Sequence, residues 1–148
     1  MSNPVAQLQH LELAEEFFKA FRDLPPDGPS GIPVNWPRYF ALCHATELAL
    51  KAFLLAHGWT DQQIRDVVFR HNISNLMTEA IRLGLKISAP ARADIDLLSE
   101  AHKEFWARYP KQTGDSVFII DQFEKPVVEL LTAVRLAVRG GNRLHVNY

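Results

Sequence analysis

The segment from Trp36 to His57 constrains the fold more than any other part of this sequence. Nearly every residue from Tyr39 to Leu55 is apolar, on all sides of a helical projection, so this helix has to be buried by neighbours on most of its surface. Asn35 suits the N-cap, Pro37 is tolerated in the first turn, and Gly58 suits the C-terminal end. We therefore predict a central helix packed among other helices.

Apolar spacing and capping residues predict further helices on both sides of the central one. They cover residues 4–24, about 60–69, about 72–83, 88–109 and about 122–138. The proline-rich segment 25–33 is predicted as a loop, 117–120 as an extended stretch, and 142–148 as a loose tail. The sequence thus predicts an all-α fold, an antiparallel up-and-down bundle of four main helices plus one or more short helices, in a single domain over 1–148.

Composition limits the partners and the compartment. Hydrophobic residues make up 47% of the 148-residue chain and the net charge is −1, so nucleic acid would need a local basic patch to bind. The only cysteine, Cys43, excludes an internal disulfide and fits a reducing compartment. The first ten residues lack a signal-peptide pattern, and the longest apolar run is too short to span a bilayer. We expect a soluble, cytoplasmic protein with no membrane partner.

A polar stripe interrupts the central helix. At 100° per residue, His44, Glu47 and Lys51 lie within an arc of roughly 60° on one side. One interpretation is a small cleft in which a base, a carboxylate and an ammonium face a ligand. The other is that the stripe is the solvent-facing side of the helix, with Glu47 and Lys51 forming an i,i+4 ion pair. The sequence leaves both open.

Three segments together resemble the HEPN domains (higher eukaryotes and prokaryotes nucleotide-binding). Tyr39–Leu54 resembles their second helix, in which apolar-x-x-Glu-x-x-x-Lys-Ala precedes a glycine. His71–Leu76 resembles the family's His-Asp-Leu-x-x-Leu segment, and Ala107–Pro110 resembles the Arg-Tyr-Pro end of a later helix. The segments follow one another in the family's order. The resemblance implies a helical bundle, often dimeric, found in nucleic-acid processing, toxin–antitoxin and defence systems.

The stripe and the resemblance supply one set of candidate ligand-binding residues. They are His44, Glu47, Lys51, His71, Arg108 and Tyr109. Arg108 and Tyr109 would touch a phosphate and a base, or would simply end a helix. We expect no cofactor and no metal site, because the remaining histidines show no metal-ligand spacing and no glycine-rich phosphate loop is present.

Many HEPN proteins are metal-independent ribonucleases with an Arg-x(4–6)-His motif. The sequence has three such spacings, Arg38/His44, Arg65/His71 and Arg139/His145, where about one is expected by chance. None lies in the context that the family uses, so no catalytic residue is assigned. We predict a binding module for a nucleotide, RNA or a partner protein that is non-catalytic or only vestigially catalytic. The alternative is a divergent ribonuclease acting as a homodimer, in a toxin–antitoxin or defence system.

Overall fold

The computed structural model describes residues 4–26, 35–107 (the backbone alone for 104–107) and 120–140. Six α-helices and one 3₁₀ turn account for most of these residues, and no strand occurs among them. The helices are α1 (Pro4–Asp23), α2 (Trp36–Ala56), α3 (Asp61–Arg65), α4 (Ile73–Arg82), α5 (Ala89–Ala107) and α6 (Glu124–Arg139), with the 3₁₀ turn at Ile120–Phe123. The predicted all-α bundle of four main helices plus short ones is confirmed. Residues 27–33, 117–119 and 142–148, which hold most of the predicted loop, extended stretch and tail, lie outside the described residues.

Helix α2 is the buried centre of the bundle, as its composition predicts. Its N-terminus is capped by the Asn35 side chain, which accepts a hydrogen bond from the Arg38 backbone N–H at 3.2 Å. Gly58 follows the helix with φ of +94°, a conformation that L side chains rarely adopt. Leu42, Ala45 and Leu50 are fully buried, together with most other apolar residues of α2. The long apolar sequence therefore belongs to the centre of a folded core.

The prediction that the longest apolar run is too short to span a bilayer does not hold for α2 as a whole, which is long and apolar enough to cross one by length and composition alone. Within the structure, however, 78% of its most apolar window is buried against the other helices. That burial is what a core helix requires, and the fold is compatible with a soluble protein.

Side-chain contacts fix the directions of the neighbouring helices. The Arg38 Nε donates to the Phe21 carbonyl at 3.1 Å, and the Phe17 and His44 rings meet at 4.5 Å, so α1 and α2 run antiparallel. Helices α1 and α6 are also antiparallel, because three ion pairs join them in reverse order along the chain. These pairs are Arg22–Glu124 at 2.8 Å, Glu15–Arg135 at 2.6 Å and Glu12–Arg139 at 3.3 Å.

Helix α3 is shorter than the predicted helix over 60–69. It begins as predicted, with a capping box between Thr60 and Gln63. It ends at Arg65 because Asp66 has an extended backbone, with φ −54° and ψ 141°, and its carboxylate accepts from the Val68 N–H at 2.9 Å. This local side-chain bond replaces the next helical turn. Residues 66–71 therefore form a turn that leads to α4.

Arg38 joins the start of α2 to two other parts of the fold. It is only 7% exposed, and besides donating to Phe21 it pairs through Nη2 with Asp121 at 2.5 Å. Its guanidinium also lies over the Phe21 ring, 4.0 Å from the ring centroid. Arg38 thus ties α1, α2 and the turn before α6 together by packing as well as by charge.

We expect Arg38→Ala to lower the free energy of unfolding by about 2–3 kcal/mol, because a buried charged hydrogen bond and ring packing are lost together. Urea denaturation followed by circular dichroism measures this change. Arg65→Ala is the matched control, since Arg65 is 77% exposed and forms an exposed ion pair with Asp61. It should cost less than about 0.5 kcal/mol. Equal losses in the two variants would contradict the role given to Arg38.

Candidate ligand site on helix α2

The carboxylate of Glu47 is buried and receives three side-chain donors. Its side chain is 1% exposed. Oε1 accepts from Lys51 Nζ at 2.7 Å and lies 3.2 Å from His71 Nδ1, while Oε2 lies 3.4 Å from His102 Nε2. We call Glu47, Lys51, His71 and His102 the Glu47 cluster. Its members come from α2, from the turn before α4 and from α5, so one carboxylate connects three parts of the fold.

The 66–71 turn carries His71 to Glu47, and several hydrogen bonds hold that turn in place. Lys51 Nζ donates to the Arg70 carbonyl at 2.7 Å, and the Asn75 amide donates to the Val68 carbonyl at 3.0 Å. The Asp66 carboxylate bonds the turn from within. Lys51 therefore neutralises the buried carboxylate and anchors the segment that brings the imidazole to it.

The surroundings of Glu47 favour its ionised form. Burial by itself raises the pKa of this carboxyl, but the hydrogen bond from His102 and the charge and hydrogen bond of Lys51 outweigh it. The net effect lowers the pKa of Glu47 to about 2. The cluster thus contains a permanent buried anion at neutral pH, compensated by an adjacent cation.

Only one side of the central part of α2 is open to the surroundings. Between Arg38 and Leu55, Phe40, His44 and Lys51 are partly exposed and every other residue is buried. These three residues lie within roughly 40° of one another around the helix axis. We call them the α2 strip. Glu47 lies on the same side but beneath the strip, covered by the 66–71 turn and α5.

The structure of the predicted polar stripe therefore matches neither the cleft nor the solvent-facing interpretation in full. The i,i+4 pair between Glu47 and Lys51 is present, at 2.7 Å. The solvent-facing interpretation is wrong for Glu47, which is buried, and largely wrong for Lys51, which is 12% exposed. The buried carboxylate of Glu47 is hydrogen-bonded to Lys51 and His71, and partly exposed side chains of α2 form the surface.

His44 has surroundings that differ from those of the cluster. Its ring stacks on Phe40 at 5.3 Å and meets Phe17 edge-on at 4.5 Å. Burial lowers the pKa of His44, and the nearby Glu47 charge opposes this only in part. His44 is therefore a neutral imidazole among aromatic rings at neutral pH.

The structure brings together most of the candidate residues that it describes. Glu47, Lys51 and His71 are in direct contact, and His44 lies one turn before Glu47 on the same side of α2. Arg108 and Tyr109 lie outside the described residues. The sequence analysis missed His102, which is 1% exposed. The available signal was its place on the apolar side of α5, one turn after Leu98, where a polar side chain requires a buried partner.

The three Arg-x(4–6)-His spacings do not form described Arg/His pairs. Arg38 is held by Phe21 and Asp121, away from His44. Arg65 pairs with Asp61 at 3.0 Å, whereas His71 contacts Glu47. Arg139 pairs with Glu12, and His145 is not among the described residues. In the two spacings whose arginine and histidine are both described, the arginine therefore pairs with other residues and not with the histidine.

Glu47, His71 and His102 belong to residue types that can bind a metal ion. Within the ranges 4–26, 35–107 and 120–140, no group of three or more His, Cys, Asp or Glu residues is arranged to hold a metal ion. The Lys51 ammonium is already hydrogen-bonded to Oε1 of Glu47 and would repel a second cation. The described part of the cluster therefore suits hydrogen bonding and charge pairing.

Comparison of the chain with protein-family models, with curated proteins and with solved structures found no match. The relation to HEPN domains thus stays a prediction from the residues that carry it. Function has to be inferred from the geometry of the α2 strip and the Glu47 cluster.

Acid should remove the stabilising contribution of Glu47 at a defined pH. A carboxyl whose pKa is lower in the folded state stabilises the fold above its unfolded pKa and stops doing so as the pH falls through the folded pKa. For Glu47 this window runs from 4.5 down to about 2. We expect Glu47→Gln to be less stable than wild type by about 3 kcal/mol at pH 6, with the difference shrinking as the pH falls through this window.

Urea denaturation of both proteins between pH 2 and 7 measures this difference. Glu100→Gln, at a side chain that is 68% exposed, controls for the loss of one carboxylate. A Glu47→Gln deficit that stays constant down to pH 2 would contradict the assignment of Glu47 as a buried, ionised centre.

Proposed function

We propose that this chain is a HEPN-like helical module that binds a phosphate-bearing ligand, a nucleotide or RNA, along the α2 strip without catalysing a reaction. The observation that carries the proposal is the restricted opening of α2. Between Arg38 and Leu55, this helix is buried on nearly all sides and leaves only Phe40, His44 and Lys51 partly exposed, and they lie in one line.

The Lys51 end of the strip has the chemistry for an anion. Toward the described residues, Lys51 uses two of its three donors, on Glu47 and on the Arg70 carbonyl, and we assign the third to the ligand. The Arg70 side chain is exposed and the His71 side chain is 51% exposed, in the turn beside it. The net charge of −1 gives no general attraction for phosphate. A local group of donors therefore has to supply it.

The Glu47 cluster supports binding by holding these donors in place before a ligand arrives. Lys51 is only 12% exposed and makes two hydrogen bonds, so little side-chain freedom is left to lose on binding. The same carboxylate orients His71. Such support of a binding group by buried neighbours is the arrangement that precise recognition requires.

The wider setting of the proposal follows the resemblance and the composition. We propose that the protein works in the cytoplasm, where a lone buried thiol such as Cys43 stays reduced. We also propose that it acts as a homodimer or with a partner protein, as in toxin–antitoxin and defence systems. Exposed apolar side chains such as Val67, Val68 and Leu136 support such contacts.

We expect purified wild-type protein to bind nucleotides or single-stranded RNA, and Lys51→Met and Arg70→Gln each to weaken this binding about tenfold through loss of a charge-assisted hydrogen bond. Nucleotide-dependent thermal shifts and fluorescence anisotropy with labelled RNA measure the affinities. Lys103→Met is the control, since Lys103 is exposed on α5 and pairs with Glu100. Absence of binding by wild type, or unchanged affinity in both strip-end variants, would refute the proposal.

A second candidate function is metal-independent ribonuclease activity of a homodimer, and one observation favours it. The Glu47 carboxylate contacts Nδ1 of His71, whose side chain is half exposed. A carboxylate that fixes the orientation of an imidazole is a recurring device for proton transfer. His71 is the only histidine of the three Arg/His spacings with such a described partner.

If this second function holds, we expect RNA cleavage in the presence of a metal chelator, lost in His71→Ala and retained in His44→Ala and His145→Ala. Gel analysis of mixed RNA after incubation measures cleavage, and analytical ultracentrifugation of the same samples measures the oligomeric state. No cleavage by wild type, equal cleavage by all three variants, or an active monomer would exclude the ribonuclease in this form.

A further inference from the structure

The 66–71 turn covers the Glu47 carboxylate although it packs little apolar surface against the bundle. Five of its six side chains are exposed, and only Phe69 is partly buried, with its ring 4.9 Å from that of Trp59. The two valines of the turn are 74% and 52% exposed. Apolar side chains that stay in water contribute little to stability. Polar contacts therefore supply most of what holds this turn in place.

Hydrogen bonds to side chains of α2 and α4 provide these polar contacts. They are Lys51 Nζ to the Arg70 carbonyl at 2.7 Å, Asn75 Nδ2 to the Val68 carbonyl at 3.0 Å, and His71 Nδ1 to Glu47 Oε1 at 3.2 Å. Water replaces such bonds when they break, so each makes a small net contribution. Segments with few buried apolar contacts are the ones that open locally in folded proteins.

The residues on either side of the turn are anchored in the core. Ile64 is 2% exposed and Ile73 is fully buried. Between them the backbone leaves the helical conformation at Asp66, with ψ of 141°, and at Asn72, with ψ of 92°. Within the turn, two backbone N–H groups donate to the Asp66 carbonyl at 2.9 Å. The turn is thus an internally bonded unit between two fixed points.

We propose that residues 66–71 form a latch that opens locally while the rest of the bundle stays folded, and that the Lys51 ammonium is the group that keeps it closed. Lys51 bonds both the Glu47 carboxylate and the Arg70 carbonyl, so it links the buried charge to the turn. Opening uncovers Oε1 of Glu47 and the Lys51 ammonium, whereas His102 of α5 still covers Oε2. The closed and open forms thus differ in whether this charged pair can be reached from the solvent.

The latch goes beyond the proposed binding function, because it concerns two forms of the chain itself. Its test contains no ligand. Absence of nucleotide or RNA binding would refute the proposed function and leave the test of the latch unaffected. Unfolding of the whole bundle is the competing explanation for any exposure of the turn.

Proteolysis of the native protein by trypsin, which cleaves after Lys and Arg, reports the opening. The side chain of Arg70 is exposed, but its carbonyl accepts the Lys51 hydrogen bond, so the peptide bond after Arg70 is cleaved only from the open form. Lys19 is the internal reference, since it is exposed in the middle of α1 and cleavage there requires that helix to unfold. We expect wild type to be cleaved at least about tenfold faster after Arg70 than after Lys19. Mass spectrometry of the first products measures both initial rates.

Two variants weaken the latch by different routes. Asn75→Ala removes the bond to the Val68 carbonyl and should raise the rate after Arg70 about fivefold, with the rate after Lys19 unchanged. Lys51→Met should raise it about tenfold or more, through loss of a charge-assisted bond. Thr78→Ala is the matched control for Asn75→Ala, because Thr78 is exposed and its hydroxyl donates only within α4, to the Ser74 carbonyl.

The two rates separate local opening from unfolding of the bundle. Equal cleavage after Arg70 and Lys19 in wild type would overturn the latch. An unchanged Arg70 rate in Asn75→Ala, or a rise of both rates by the same factor, would overturn it as well. If Lys51→Met does not fold, Asn75→Ala and its control decide the question, since that substitution leaves the charges around Glu47 in place.

Discussion

The Glu47 carboxylate is the interaction on which the rest of the site depends. An ionised carboxylate loses its hydration when it is buried, and it is tolerated only where donors and an opposite charge replace that hydration. Here Lys51 supplies the charge, and His71 and His102 come from separate segments of the chain. The carboxylate thus imposes the position of the 66–71 turn and of α5 relative to α2. Apolar packing alone would leave that position less strictly defined.

The same constraint explains why α2 is open along a single line. The turn held by Glu47 and Lys51 covers one flank of the helix, and α1 covers the other through Phe17 and Phe21. Residues between these two walls stay partly exposed, and they are the α2 strip. The opening is therefore a consequence of how the cluster positions its neighbours.

The fold and part of the site could be predicted from the sequence, and each for a physical reason. Helix α2 was predictable because a helix that is apolar on all sides has to be buried by other helices in a folded protein. The Glu47–Lys51 pair was predictable from i,i+4 geometry. The burial of Glu47 was not, since a polar stripe on one helix looks the same whether water or a distant segment covers it. His102 is 55 positions from Glu47 in the chain. The early end of α3 was not predictable either, because it depends on one local hydrogen bond, from the Val68 N–H to the Asp66 carboxylate, that competes with the next helical turn.

Burial of the charged groups of the Glu47 cluster costs free energy, and this cost bears on the function of the cluster. Buried ion pairs stabilise proteins little compared with apolar side chains of similar volume, although removal of one partner is damaging. Stability alone therefore gives no reason to bury a carboxylate, an ammonium and the His102 imidazole in an otherwise apolar bundle. What apolar residues cannot provide is an ammonium and an imidazole fixed in orientation at a surface. Lys51 and His71 have that property: Lys51 belongs to the α2 strip, and His71 lies in the turn beside it. The proposed binding role would account for the charge, for the position of the cluster and for the opening above it.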